Sequence, residues 1–460
     1  MKKRFCYRPY NSIHFDPDGR ARICAWTDVK VGNVCEETIE EIWHGEKAKL
    51  FRESFEDDSF RYCRVESCPF LENDSLPRVT EEEYHKLSKL PFLPTDVTIA
   101  NDRTCNHSCP SCRHEICIPT PEDKERFAKE SKKIVPLLNQ TKSFDANGEG
   151  DVLSSPMMLD MLSQVHPENK ACKISLETNG ALFDEVHWKK IEHFGDYHLS
   201  VTVTPNSFVE TTYRYLNGGH NDYDKLIANL YYIKSLRKCG IVNYFAISIV
   251  VQERNVFELP SFIERCINDF EVDKVVVKPL YNWFNMGDDS YWFKDVANPL
   301  HPYHKEWLEI MNQPIMNHEK VFLWGAKNLH ETAKHPAYRY EDLLKAVAKI
   351  IDTPDIGERI NKFLAEQKKR RIIVYGETMI TASVVKLLKG LTDIKCIMAL
   401  APCRKEIAGV KVKPFCTDDI DAEDCVVVLN TDKIKQIRRD FDFNGYEDCL
   451  YTLDEFISHV

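Results

Sequence analysis

The chain has 460 residues, 43% of them hydrophobic and 29% charged, with a net charge of −11. That is room for about two to four domains and a large core, and the acidic balance argues against nucleic-acid binding through a general basic surface. No apolar run is long enough to span a bilayer, and the basic stretch 1–8 has no apolar segment behind it, so no secretory signal is expected and a cytoplasmic location is. Seventeen cysteines is a high and odd count. Disulfides are not expected in a reducing cytoplasm; metal or cluster ligation accounts better for the excess.

Residues 1–75 hold Cys6, Cys24, Cys35, Cys63 and Cys68. The stretch 12–24 reads as a hairpin: alternating residues lead into Asp16-Pro17-Asp18-Gly19, where Pro presets φ and Gly tolerates a positive one. Gly32-Asn33-Val34 follows, then the helix-like Glu40-Glu41-Ile42-Trp43, Arg52, and a closing pair Cys63-x4-Cys68. This pattern resembles the SPASM/twitch auxiliary-cluster module of radical S-adenosylmethionine (radical SAM) enzymes. The resemblance implies an auxiliary Fe–S cluster, of the [4Fe–4S] type, on Cys6, Cys24, Cys63 and Cys68. Four cysteines fit one cluster, which favours the shorter twitch form, and Cys35 is left as a spare thiol. The module usually follows the catalytic barrel, whereas here it precedes it, and the closing pair is C-x4-C instead of the commoner C-x2-C. A four-cysteine zinc site stapling a small unit is the competing account.

A proline-containing linker is expected at 76–93. Then an alternating run with Val97 and Ile99 leads into Cys105-x3-Cys109-x2-Cys112. Three thiols on one loop after a strand can hold three irons of a cubane and leave the fourth open, while most clusters take four thiolates. Zinc also accepts three cysteines and a histidine, and His107 and His114 are near, but structural zinc motifs come as separated pairs. The triplet resembles the radical SAM signature. That resemblance implies a [4Fe–4S] cluster on Cys105, Cys109 and Cys112 whose open iron binds S-adenosylmethionine.

From 94 to 285 strand and helix alternate. Strands are expected at 97–101, 143–146, 173–178, 198–204, 245–251 and 274–279. Helices are expected at 122–138, 157–164, 184–193, 223–239 and 258–270. Six such units imply parallel strands with outer crossover helices, and they match the partial (β/α)6 barrel of radical SAM proteins, an α/β fold with its chemistry at the strand C-termini. The second strand runs into Asn147-Gly148-Glu149-Gly150-Asp151. By resemblance, Gly148, Gly150 and Asp151 would meet the methionyl amino group of SAM, or in another register Gly148-Glu149; a plain turn explains the glycines too. The third strand ends in Glu177-Thr178-Asn179-Gly180, where Glu177 and Asn179 would meet the ribose, although Asn-Gly is a turn signal by itself. Thr202, Thr204 and Lys278 are expected in or near the cavity.

Residues 286–369 read as an aromatic-rich and helical connector, a lid or an apolar patch. From 370 to 460 the pattern restarts as a small doubly wound unit, with strands at 372–376, 394–400, 425–429 and 448–453. It resembles Rossmann-like domains. Its turn Gly376-Glu377-Thr378-Met379 lacks the second and third glycines of the dinucleotide fingerprint, so NAD binding is not expected.

The expectation is therefore a radical SAM enzyme that cleaves SAM and abstracts hydrogen from a substrate. A sugar or sugar nucleotide comes first, from the C-terminal domain, and a peptide second. An electron donor such as flavodoxin or ferredoxin is implied. The reading of another class is a zinc-stabilised binding protein without catalysis.

Overall fold

The computed structural model describes every residue except 1, 28, 65–67, 73, 114, 148, 282–287, 325–340, 378–379, 400–403, 417–418, 430–433 and 447–448. The chain divides into two compact units, residues 1–281 with 294–331, and residues 282–293 with 332–460.

The first unit opens with β1 (Lys3–Arg4), β2 (Ser12–Phe15), β3 (Arg20–Arg22), β4 (Gly32–Asn33) and β5 (Arg78–Val79). The expected hairpin forms: β3 lies antiparallel to β2, with Gly19 in the turn at φ 80°. The stretch expected as a linker is ordered. β5 pairs with β1, and Thr80 boxes the start of the Glu81–Leu87 helix, whose Tyr84 hydroxyl meets that of Tyr10 at 2.8 Å.

Seven parallel strands follow: β6 (Asp96–Ile99), β7 (Ser143–Ala146), β8 (Lys173–Thr178), β9 (His198–Val203), β10 (Tyr244–Val251), β11 (Lys274–Pro279) and β12 (Val321–Leu323). Six fall on the expected strands, and β12 is an addition. Alternation dictates their two faces. Val97, Ile99, Phe144, Ala146, Ile174, Leu176, Leu199 and Val201 are buried, while Asp145, Glu177, Thr202 and Lys278 take the other face. The buried face needs a cover, and the crossover helices Pro121–Gln140, Pro156–Ser163, Tyr223–Lys238 and Leu259–Asn268 bring apolar stripes such as Phe127, Ile134, Leu137 and Leu138. Thr120 boxes the first of these helices with Asp123, and Ser155 caps the second through the Met158 amide.

Residues 1–75 do not stand apart from this series. β2 pairs in parallel with β6, Ile13 against Val97 and Phe15 against Ile99, so the apolar face continues into the hairpin. The result is one ten-stranded sheet, in the order β12-β11-β10-β9-β8-β7-β6-β2-β3-β4. Trp26, just after β3, stacks on Trp324, just after β12, with centroids 5.6 Å apart. These rings come from opposite ends of the sheet, so it curls far enough to bring its ends together. Among the described residues no strand pairing joins them.

The second unit contains β13 (Arg371–Tyr375), β14 (Ile394–Ala399), β15 (Glu406–Ile407), β16 (Val410–Pro414), β17 (Asp424–Val428) and β18 (Leu450–Thr452), ordered β15-β16-β14-β13-β17-β18. All are parallel except the short β15. Both faces are covered, which explains the unbroken apolar run of β13. Ile372 and Val374 join one core and Ile373 and Tyr375 the other. The first core also takes Leu343, Ile350, Ile360 and Leu364, from helices Glu341–Asp352 and Ile356–Glu366. The Rossmann-like unit thus reaches back before residue 370 into the expected connector. Residues 294–331 of that connector, with the buried Trp307 and β12, belong to the first unit.

Candidate functional site

The cysteine triplet sits on the loop after β6, at the C-terminal end of the strand. The loop is fixed from below by Asp102, whose Oδ1 accepts from the Thr104 amide at 2.9 Å and the Thr104 hydroxyl at 2.8 Å, and whose Oδ2 accepts from Ser155. A turn gathers the last two thiols, with the Cys112 and Arg113 amides both donating to the Cys109 carbonyl at 2.9 Å. Burial, then Asp151, pushes the Cys105 thiol up to about 11. Burial also raises Cys109, followed by the charges of Cys112 and Cys105, so the three sulfurs feel one another. Burial and mutual repulsion oppose thiolates at Cys105 and Cys109 unless a cationic centre binds them. As a donor set, the triplet fits three corners of a cluster.

Neighbouring loops hold the triplet in place, and several of the residues involved were not singled out from the sequence. His107, 2% exposed, meets Asp222 Oδ2 at 2.7 Å. Asp222 Oδ1 also accepts from the Tyr213 hydroxyl at 2.9 Å and Asn217 Nδ2 at 3.1 Å. Gly218, at φ 86°, lies so close to Ser108 that a Cβ would fall 2.3 Å from its Oγ. Arg113 Nη1 donates to the Arg103 carbonyl at 2.9 Å, and its Nη2 reaches the Glu149 carbonyl and lies 3.5 Å from Cys112 Sγ. The only sequence signal for Arg113 was its place directly after the last cysteine.

The residues expected to meet SAM fall into two groups. Gly150 is packed against the loop backbone: a Cβ there would lie 2.5 Å from the Thr104 carbonyl oxygen and 2.7 Å from that of Asp102. Asp151 is buried, and its carboxylate accepts from the Leu153 amide at 3.0 Å, the Thr178 hydroxyl at 2.9 Å and the Asn179 amide at 2.6 Å. It braces the β7 loop to the end of β8. Asn179 Nδ2 donates to Asn106 Oδ1 at 2.9 Å, tying the β8 turn to the cysteine loop. Glu177 lies on the polar face of β8 and acts electrostatically on Asp145 of β7, whose carboxyl is raised to about 6 by burial and then by Glu177. Thr204 shares that face, its hydroxyl 2.8 Å from that of Ser248. Gly148 and His114 lie outside the described residues.

The second set of thiols converges as well. Cys6, Cys24, Cys63 and Cys68 line one cavity with Arg8, Trp26 and apolar side chains. Burial, then Cys24, pushes Cys6 up to about 12. Trp26 donates its amide to Cys24 Sγ at 3.4 Å. A zinc ion with Zn–S bonds of about 2.3 Å would draw four sulfurs into contact around itself. Four thiols round one cavity can hold either such an ion or a cubane. Cys35 does not line the cavity; its thiol lies 3.6 Å from Glu130 Oε1 on the Pro121–Gln140 helix, as suits a spare thiol.

Comparison with known proteins follows this geometry. Residues 6–69 match the SPASM iron–sulfur cluster-binding domain. No curated protein matches the chain. Among solved structures, Streptococcus suis SuiB bound to S-adenosylmethionine is similar at 14% identity and a TM-score of 0.34, over 75% of this chain and 74% of that one. Methylornithine synthase (PylB) is similar at 14% identity and a TM-score of 0.28, over 40% of this chain and 53% of that one. Residues 6–69 thus carry the match to an iron–sulfur cluster-binding domain, and a separate three-cysteine loop follows β6.

Proposed function

We propose that this protein is a radical SAM enzyme acting on a small polar substrate, of the sugar or sugar-nucleotide class, held inside the curled sheet. The observation that carries the reading is the pair of gathered thiol sets on one continuous sheet, one past β6 and one around the β2–β3 hairpin. Cys105, Cys109 and Cys112 would hold a [4Fe–4S] cluster with one open iron, and Cys6, Cys24, Cys63 and Cys68 an auxiliary one. Bound there, the first cluster with SAM supplies reductive cleavage to a 5′-deoxyadenosyl radical, given an electron from a flavodoxin- or ferredoxin-type donor.

The chain's own residues bind, orient and shield. The backbone of 149–150 and the side chains of Glu177 and Asn179 form the SAM cradle. Asp151 and Arg113 hold that cradle against the cysteine loop. Asp145, Thr202, Thr204 and Lys278 offer the inner face the hydroxyl-matching and charged groups that a sugar or its phosphate needs, which is why this class is preferred to an apolar substrate.

The test is anaerobic reconstitution with iron and sulfide, then SAM and dithionite. Wild type forms 5′-deoxyadenosine. The Cys105→Ala, Cys109→Ala, Cys112→Ala triple variant forms none while keeping its far-ultraviolet circular dichroism. Wild-type protein that holds iron and binds SAM but releases no nucleoside contradicts the proposal; zinc with no nucleoside supports the binding-protein reading instead.

A further inference from the structure

Arg8 is a cation placed among the four auxiliary thiols. It begins the short Arg8–Asn11 helix, two residues after Cys6, and lines the cavity with the four auxiliary thiols. Its Nε is buried and has no hydrogen-bond partner among the described residues. Arg22 ends β3 of the neighbouring hairpin. Arg22 is anchored through Nη1 on the carbonyls of Ala25 at 3.2 Å and Thr27 at 2.9 Å, and through Nη2 on Asp16 at 2.5 Å. Cys24, Tyr7, Cys6 and Asp145 act electrostatically on the Arg8 guanidinium. The Tyr7 ring lies 5.9 Å from it.

A guanidinium stays charged and carries five N–H donors. A buried guanidinium N–H without an acceptor is costly, so an acceptor for the Arg8 Nε belongs in the cavity that Arg8 lines. The sulfurs of an iron–sulfur cluster are such acceptors, and hydrogen bonds to them, with nearby charge, set its reduction potential. Building on the auxiliary-cluster reading above, we infer that Arg8 donates hydrogen bonds to the auxiliary cluster and raises its reduction potential. It is a positioning and tuning residue. A fixed positive charge stabilises the reduced cluster, which carries one more negative charge than the oxidised one. Removing that charge therefore moves the midpoint potential down.

The experiment uses the full chain with Cys105, Cys109 and Cys112 changed to alanine, so that only the auxiliary cluster is present. Iron and sulfide are counted, and the midpoint potential is read by paramagnetic resonance during a dithionite titration. Arg8→Gln is expected to retain about four irons per chain and to shift the potential to more negative values. Arg8→Lys, which keeps the charge but loses the planar fork, is expected to fall between that variant and the parent. Loss of the cluster from Arg8→Gln but not from Arg8→Lys also supports the inference, since charge is then what the cluster requires. An intact cluster with the parent's potential in Arg8→Gln overturns it, and so does cluster loss from both variants, which would make the role structural. A parent that holds no iron overturns the auxiliary-cluster reading first and the Arg8 inference with it.

Discussion

At the scale of single residues, the hairpin shows how burial sets chemistry. His14 on β2 is 6% exposed, and its pKa is lowered from 6.5 to about 4, first by burial and then by the Arg22 charge. Burial alone would raise Asp16, but Arg22 and Lys30 outweigh it and hold that carboxyl well below its usual range. The depressed histidine fixes a sign. Between pH 6.5 and about 4 the unfolded chain takes up a proton at His14 that the folded chain refuses, so its stabilising contribution is complete above pH 6.5 and is lost as pH falls. The slope from this one group is at most about 1.4 kcal/mol per pH unit. Urea unfolding at pH 7 and pH 5 checks it: His14→Gln should lose less stability than wild type between the two, and an equal loss in both would contradict the assignment. The grouping of thiols was legible at this scale to the extent that Cys6, Cys24, Cys63 and Cys68 line one cavity while Cys35 does not. Arg8 was not legible, because an arginine beside a cysteine carries no signal until the fold shows what it faces.

At the scale of elements, strands were the easiest to read and loops the hardest. β7, β8 and β11 begin and end where their alternation does, because one face is covered and the other is polar. β12 is three residues long and too short to alternate visibly. β16 carries the signal, Val410-Lys411-Val412-Lys413, at a place where no strand was expected. In the loops, the Gly150-Asp151 pair was read as a ligand contact, yet Gly150 is packed on the carbonyls of Asp102 and Thr104, and Asp151 is a brace. Close backbone approach and ligand binding ask for the same residues, so sequence alone does not separate them. The His107–Asp222 contact was invisible for another reason, since 115 residues separate its partners. It ties the cysteine loop to the start of the Tyr223–Lys238 helix. Asp222→Ala leaves a buried imidazole without its acceptor. It is expected to cost about 1–3 kcal/mol in urea unfolding and to lower the iron retained on gel filtration. Wild-type stability and iron content in this variant would contradict that role.

At the scale of the whole molecule, the fold class was legible and the boundaries were less so. The parallel six-strand series and the doubly wound C-terminal unit follow from periodicity. The joining of the cluster hairpin to the barrel sheet through β2 and β6 does not, because a four-residue strand names no partner. The start of the second unit was misplaced for a similar reason. The helices at 341–352 and 356–366 are amphipathic, but only the fold shows that Ile360, Phe363 and Leu364 share a core with Ile372 and Val374. Cutting at residue 370 strips that core of its cover. A fragment of residues 370–460 should therefore aggregate, while 341–460 should stay monomeric and unfold cooperatively by circular dichroism. Equal behaviour of the two fragments would contradict this placement of the boundary.

The central claim is that one chain holds two clusters on two separate thiol sets. Iron and acid-labile sulfide counting on anaerobically reconstituted full-length protein tests it most directly. The account predicts about eight irons per chain in wild type and about four after alanine replaces either Cys105, Cys109 and Cys112 or Cys24 and Cys63. Cys35→Ala should leave the wild-type count unchanged. About four irons in wild type that are lost through only one of the two sets, or zinc in place of iron at either, would contradict it.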